Sequence, residues 1–234
     1  MSKVVKALKA MGISSDAVAE LKAPADLAMH TLNNTANQLA TAIRESRGDI
    51  AAIEAEADIT GEAKARRIKE RREQLADRIA EIDADRARAA ERLERWVGEA
   101  RTTHLDTAAE LLDEQQTRRA WERARHQIEQ GTDALAVAQA AVEAGDRVTI
   151  EALRQELPAM GEPADVIAVL DDLETPLLSE PERELREIAN TASKGDYWSR
   201  TAINYATAEV NGEQVHELPI ARAEDGDSGV LRID

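Results

Sequence analysis

Between residues 25 and 57, apolar and small side chains recur at alternating steps of four and three: Leu32, Ala36, Leu39, Ile43, Ser46, Ile50, Ile53 and Ala57. That spacing is the a/d seam of a coiled coil. It predicts a long helix that begins near Ala25, just after Pro24, with Gly48 as a local interruption only. Thr60, followed by Gly61 and Glu62, has the character of a fresh N-cap with an acidic first turn. The chain is therefore expected to reverse at residues 58 to 61. Beyond the reversal, Ile68, Leu75, Ile79, Ile82, Arg86, Ala89, Leu93, Trp96 and Ala100 continue the heptad logic. Two seams joined by a tight turn predict a long antiparallel coiled-coil hairpin.

The pattern changes outside the hairpin. Residues 3 to 11 place Val4, Val5, Leu8 and Met11 on one side of a short helix and Lys3, Lys6 and Lys9 on another; this helix either docks on a partner or caps the bundle. Beyond Gly98 the phase shifts, and Leu105, Ala108, Leu112, Ala120, Trp121, Ala124 and Ile128 mark a further helix or a bent continuation ending near Gly131. Shorter helices are expected over 133 to 144, 148 to 157 and 163 to 174. Ser179, Pro181 and Glu182 form a capping-box start, and another short helix is expected over 196 to 208. Asn211-Gly212 between short alternating segments reads as a small β-hairpin, followed by an extended tail.

These elements give an all-α fold: a long antiparallel coiled-coil hairpin, a small helical head and an extended C-terminal arm with a short β-hairpin. The corresponding division is an N-terminal amphipathic helix and linker over 1–24, the hairpin over 25–130, the head over 131–206 and an acidic arm over 207–234.

Composition narrows the chemistry. The 234 residues include three Trp, two Tyr, no Phe and no Cys. A core without Phe must be filled by Leu, Ile, Val and Ala, which suits helix on helix. The missing thiols exclude a disulfide framework, a thiolate metal site and a cysteine nucleophile. The first residues lack the apolar core of a signal peptide, and no run of about 18 apolar residues occurs, so the chain reads as cytoplasmic with no membrane partner. The net charge of −16 is uneven: residues 158–234 carry 17 acidic and 6 basic side chains, the first 157 carry 29 and 24. An acidic last third repels phosphate and disfavours nucleic acid.

Candidate catalytic and metal motifs do not assemble. Gly226-Asp227-Ser228-Gly229 matches the string around a trypsin-like nucleophile, yet the β-barrels, histidine and aspartate that activate such a serine have no counterpart. Glu213 to His216 supplies one ExxH where a di-iron bundle needs two on facing helices. No phosphate-binding glycine loop is present. No catalytic, cofactor-binding or metal-binding residues are therefore assigned, and no cofactor. Asp171, Asp172 and Glu174 are the acidic residues that would have to converge for an enzyme.

Candidate partner-binding residues fall in three places. Ile59 marks the hairpin tip, next to a run of six cations from Lys64 to Arg72 that includes Arg66 and Arg67. These cations are either solvated coiled-coil flanks, with i,i+4 partners such as Arg66 and Glu70, or a docking site. Tyr197, Trp198 and Tyr205 concentrate three of the five aromatics within nine residues; they anchor a partner or close the small core of the head. Val230 and Leu231 are the candidates in the arm.

In overall texture, the cysteine-free Ala/Arg/Glu/Asp-rich hairpin at residues 25 to 100 and the arm at 207 to 234 resemble helical scaffold, head-completion or minor structural proteins of tailed phages from high-GC hosts. The resemblance implies a non-enzymatic structural or assembly protein, a virion or capsid-assembly component, found in the host cytoplasm or the virion. Its partners would be further copies of itself or other structural subunits. The alternative is an acidic adaptor that modulates one partner, such as a DNA-acting protein, through the hairpin tip near residues 57 to 66 or the acidic last third.

Overall fold

The computed structural model describes all residues except 1–2, 11, 13–14, 105–113, 162–163, 222–227 and 234. The fold is all-α, with long helices packed together and a two-stranded antiparallel sheet near the C-terminus. The chain divides into two compact units, residues 1–99 with 185–234, and residues 100–184.

The first unit is built on a helical hairpin of α2 (Ser15–Ala55) and α3 (Gly61–His104). Its reversal falls where the N-cap signal lies. The Thr60 hydroxyl accepts the Ala63 N–H at 3.3 Å, and its carbonyl accepts the Lys64 N–H at 3.0 Å. Charged side chains then fix the register across the hairpin: Arg71 with Asp49, Arg67 with Glu56 at 2.7 Å, and Lys64 Nζ on the Glu54 carbonyl at 2.6 Å. The helix start differs from expectation, because α2 runs through Pro24 from Ser15. The Pro24 ring is exposed, so water can reach the carbonyl that proline deprives of a donor. The short α1 (Lys3–Ala10) packs against α2, with Val4 and Leu8 fully buried, which is the capping arrangement.

A third long helix, α8 (Glu180–Val210), completes this unit from residue 185 onward. The residue pairs it makes define its course. Ser199 meets the Leu32 carbonyl and Glu209 meets Arg47 on α2, so these two helices run parallel; Asp196 meets Arg86 on the antiparallel α3. One core joins all three: Leu39 and Ile43 from α2, Leu75, Ile79 and Ile82 from α3, and Ala202, Ile203 and Ala206 from α8. Complete burial of residues such as Leu39 and Ile43 is worth about 1.5–3 kcal/mol each. The seams thus close within one chain.

This arrangement departs from the division read in the sequence, where a head spanned 131–206 and a separate short helix covered 196–208. The expected helix start at 196 follows Gly195 directly. That glycine lies inside α8, buried against Leu32 of α2, so residues 185–206 belong with the hairpin. Likewise Asn211-Gly212 is not the turn of the β-hairpin. Gly212 takes φ +88°, the Gly212 N–H returns to the Glu209 carbonyl and the Glu213 N–H to that of Ala208, which is a left-handed cap ending α8. The sheet lies further on, with β1 (Glu217–Ala221) antiparallel to β2 (Ser228–Arg232). Alternation sends Leu218 and Ile233 into the helical core and leaves Val230 exposed.

The second unit holds α4 (Glu114–Glu129), α5 (Ala134–Glu143), α6 (Arg147–Glu156) and α7 (Ala164–Glu174). Asp133 caps α5 by accepting the Leu135 and Ala136 N–H groups, and Asp146 caps α6 through Thr149. Ala124, Val137, Ile150, Leu153 and Leu170 form its core. The apolar residues expected at 105, 108 and 112 lie outside the described residues.

Candidate functional site

The inward seam of α8 is Leu185, Ile188, Gly195, Ser199, Ala202, Ile203 and Ala206. Its aromatic residues flank that seam rather than occupy it. Tyr197 is 61% and Tyr205 54% exposed. Trp198 is half-buried, and Tyr197 meets it edge to face with ring centroids 5.0 Å apart, a favoured aromatic geometry. Trp198 also lines a small crevice with Leu32, Asn33 and Ala36 of α2 and Pro219 and Ile220 of β1. Pro219 in turn stands opposite Val230 in the sheet register, and Val230 is 59% exposed. A tyrosine and tryptophan pair on α8 and the outer side of the β-hairpin therefore share one region.

Leu231 does not join them. It is half-buried and packs on the three-helix core beside Ile220, because its side chain points to the opposite side of the strand from Val230. Ile59, Arg66 and Arg67 are remote, at the hairpin tip. From Leu32 to the end of α2 at Ala55 the helix rises roughly 35 Å. Ile59 is half-buried in the bend, Arg66 is exposed 4.0 Å from Glu70, and Arg67 is held by Glu56. The Arg72 guanidinium lies over Gly212. Much of the basic run is thus engaged with its own chain.

Sequence reasoning missed what locks the platform. Arg47 binds Glu209 through two parallel hydrogen bonds of 2.8 and 2.7 Å and donates to the Val215 carbonyl at 2.6 Å; Glu209 also accepts the Val215 N–H at 2.9 Å. Burial pushes the Glu209 carboxyl up, but hydrogen bonds from Arg47 and Val215 and the charges of Arg47 and His216 more than reverse this, holding it below the usual carboxylate range. Arg86, in the α3 seam, is buried and pairs with Asp83 and with Asp196, which also binds Arg200 at 2.7 Å. Both arginines are visible in the sequence; their long-range partners leave no periodic signal.

In the second unit Glu174 and Glu182 are engaged in ion pairs. Glu174, 1% exposed, accepts from Arg147 Nε at 3.2 Å and from Arg154. Arg147 also binds Glu182 at 2.7 Å. Burial raises the Glu182 carboxyl, but the Ser179 hydroxyl, Arg147 and the Ser179 N–H outweigh it and hold it low. Asp172 is exposed, and the Asp171 side chain lies outside the described residues. Among the described residues, no three His, Asp or Glu side chains are grouped to hold a metal ion, and no helix is long and apolar enough to cross a membrane.

Comparison of the chain with protein-family models, with curated proteins and with solved structures gives no match.

Proposed function

We propose that this chain is a non-enzymatic structural or assembly protein, of the kind that builds a phage virion or capsid, and that it engages a protein partner through the aromatic face of α8. The observation that carries this reading is the solvent exposure of Tyr197 and Tyr205 on one helix, with Tyr197 packed edge to face on Trp198. Tyrosine and tryptophan dominate the energetics of protein contacts. Here they sit on a helix held to α3 by Arg86 and Asp196 and to α2 by Arg47 and Glu209. A platform already rigid loses little entropy when a partner docks.

The test is co-expression with shell and connector proteins of tailed phages from high-GC hosts, followed by sedimentation. Wild-type chain is expected to co-sediment with one of them, and the Tyr197→Ala/Tyr205→Ala variant to lose that association while keeping its helical circular dichroism. Failure of the wild type to enter any assembly would sink the reading. An adaptor acting through the hairpin tip has less support, since Lys64 and Arg67 are bound to Glu54 and Glu56 of the same hairpin.

A further inference from the structure

Asparagine followed by glycine occurs once in the chain, at Asn211-Gly212. The pair has a chemistry of its own. A backbone nitrogen that has given its hydrogen to water or hydroxide can attack the Cγ of the asparagine before it. The new C–N bond closes a five-membered imide, the Cγ–NH2 bond breaks and ammonia leaves. Water then opens the ring to aspartate or isoaspartate. Nothing is oxidised or reduced, and water is the only co-reactant. Glycine presents its nitrogen with least hindrance because it has no Cβ. Asn33, Asn34, Asn37, Asn190 and Asn204 are each followed by a residue with a side chain and lie inside α2 or α8.

Asn211 is exposed, so water reaches it. The restraint is on the nitrogen. The Gly212 N–H is donated to the Glu209 carbonyl at 3.0 Å, and the Asn211 and Glu213 N–H groups both return to the Ala208 carbonyl at 3.1 Å. The peptide between Asn211 and Gly212 is planar and is bonded on either side. Its nitrogen is free to lose its hydrogen and close on Cγ only when these bonds open.

The cap is clamped from two helices. Arg47 of α2 binds the Glu209 carboxylate, which also accepts the Val215 N–H at 2.9 Å, and donates to the Val215 carbonyl at 2.6 Å. One guanidinium thus ties the residue that accepts the Gly212 N–H to the chain just beyond Gly212. From α3, the Arg72 guanidinium lies over Gly212 itself.

We infer that Asn211 is a latent deamidation site, held closed by the C-cap of α8 and the Arg47–Glu209 pair, and converted to aspartate or isoaspartate when that cap opens. The product opposes reclosure. It sets a carboxylate at the negative end of the α8 dipole, and isoaspartate adds an atom to the main chain. Opening of the joint between α8 and the β-hairpin is thereby recorded as a covalent change. The inference stands on the cap alone and is independent of what meets the aromatic face.

Peptide mapping by mass spectrometry tests it, after prolonged incubation of the full chain in mildly alkaline buffer with and without urea. A reaction that needs local opening is slowed by the fraction of time the site stays closed. Asn211 is expected to deamidate at least about tenfold more slowly in the folded chain than in urea. Arg47→Ala should speed the folded-state reaction at least about threefold, and Glu209→Gln should speed it as well, which keeps the test available if Arg47→Ala loses its helical circular dichroism. Arg78→Ala, which removes an exposed arginine of α3, should react at the wild-type rate. Equal rates with and without urea overturn the inference, as does an Arg47→Ala or Glu209→Gln chain that reacts no faster than Arg78→Ala.

Discussion

Arg47 and Glu209 lie 162 positions apart in sequence and meet through two hydrogen bonds of 2.8 and 2.7 Å. The same guanidinium reaches the Val215 carbonyl, so one side chain joins α2, the end of α8 and the segment entering the β-hairpin. Breaking such a partly buried pair leaves the surviving charge without compensation. Arg47→Ala and Glu209→Ala are each expected to cost about 2–3 kcal/mol in urea unfolding, with a coupling energy of about 1–3 kcal/mol in the double-mutant cycle. A coupling near zero would mean the two residues are neighbours without energetic connection.

Acid should weaken the first unit through this carboxylate. The Glu209 pKa is lowered in the folded chain, so its contribution is complete above the ordinary carboxyl range. The contribution is lost as the pH falls through the lowered value. Unfolding midpoints measured from about pH 6 down to about pH 3 should fall for wild type and fall less steeply for Glu209→Gln, which has no proton to take up. Parallel curves would locate the acid sensitivity elsewhere, with Glu182 of the second unit, lowered for similar reasons, the next residue to replace.

Arg86 occupies a seam position where a hydrophobe would otherwise sit, and it is buried with Asp196 as its partner on α8. Removing Asp196 leaves the buried cation with Asp83, on its own helix, as its remaining partner. Asp196→Ala is therefore expected to cost about 2 kcal/mol, whereas Arg86→Met/Asp196→Ala should recover most of that loss. Denaturant unfolding of the two variants distinguishes the cases; equal losses would show that the ion pair itself, rather than the half-compensated charge, sets the cost.

The hairpin was legible because a/d spacing is a local, repeated signal. Leu32, Leu39, Ile43, Leu75, Ile79 and Leu93 are all buried as the spacing requires, and Thr60 marks the turn through its own hydroxyl. The third helix was illegible as such. Gly195 looks like a helix break in sequence, and nothing local shows that Leu32 waits 163 residues upstream to cover it. Asn211-Gly212 misplaced the β-turn for a related reason. A glycine with positive φ serves a hairpin turn and a helix C-cap equally well, and only the helical hydrogen bonds ahead of it decide. Of the candidate contact residues, Tyr197, Trp198 and Tyr205 stand out by their closeness in sequence, whereas Pro219 lies next to Trp198 only because β1 packs there.

These two glycines make opposite predictions from one kind of substitution. At Gly195 the backbone is helical, and an added Cβ would sit 3.7 Å from the Leu32 Cβ and 3.8 Å from the Asn33 Oδ1, which is ordinary van der Waals contact. Alanine there removes unfolded-state freedom without strain, so Gly195→Ala should stabilise by about 0.5–1 kcal/mol. At Gly212 the backbone has φ +88°, and a Cβ would come within 3.0 Å of the Arg72 guanidinium. A left-handed conformation costs an L-residue about 1–2 kcal/mol, and displacing Arg72 adds to that. Gly212→Ala should therefore destabilise by at least about 1 kcal/mol. Thermal unfolding of the two variants beside wild type should move the midpoint in opposite directions. A loss of stability in Gly195→Ala would show that α8 and α2 pack more tightly at this crossing than the contacts of Leu32 and Asn33 imply.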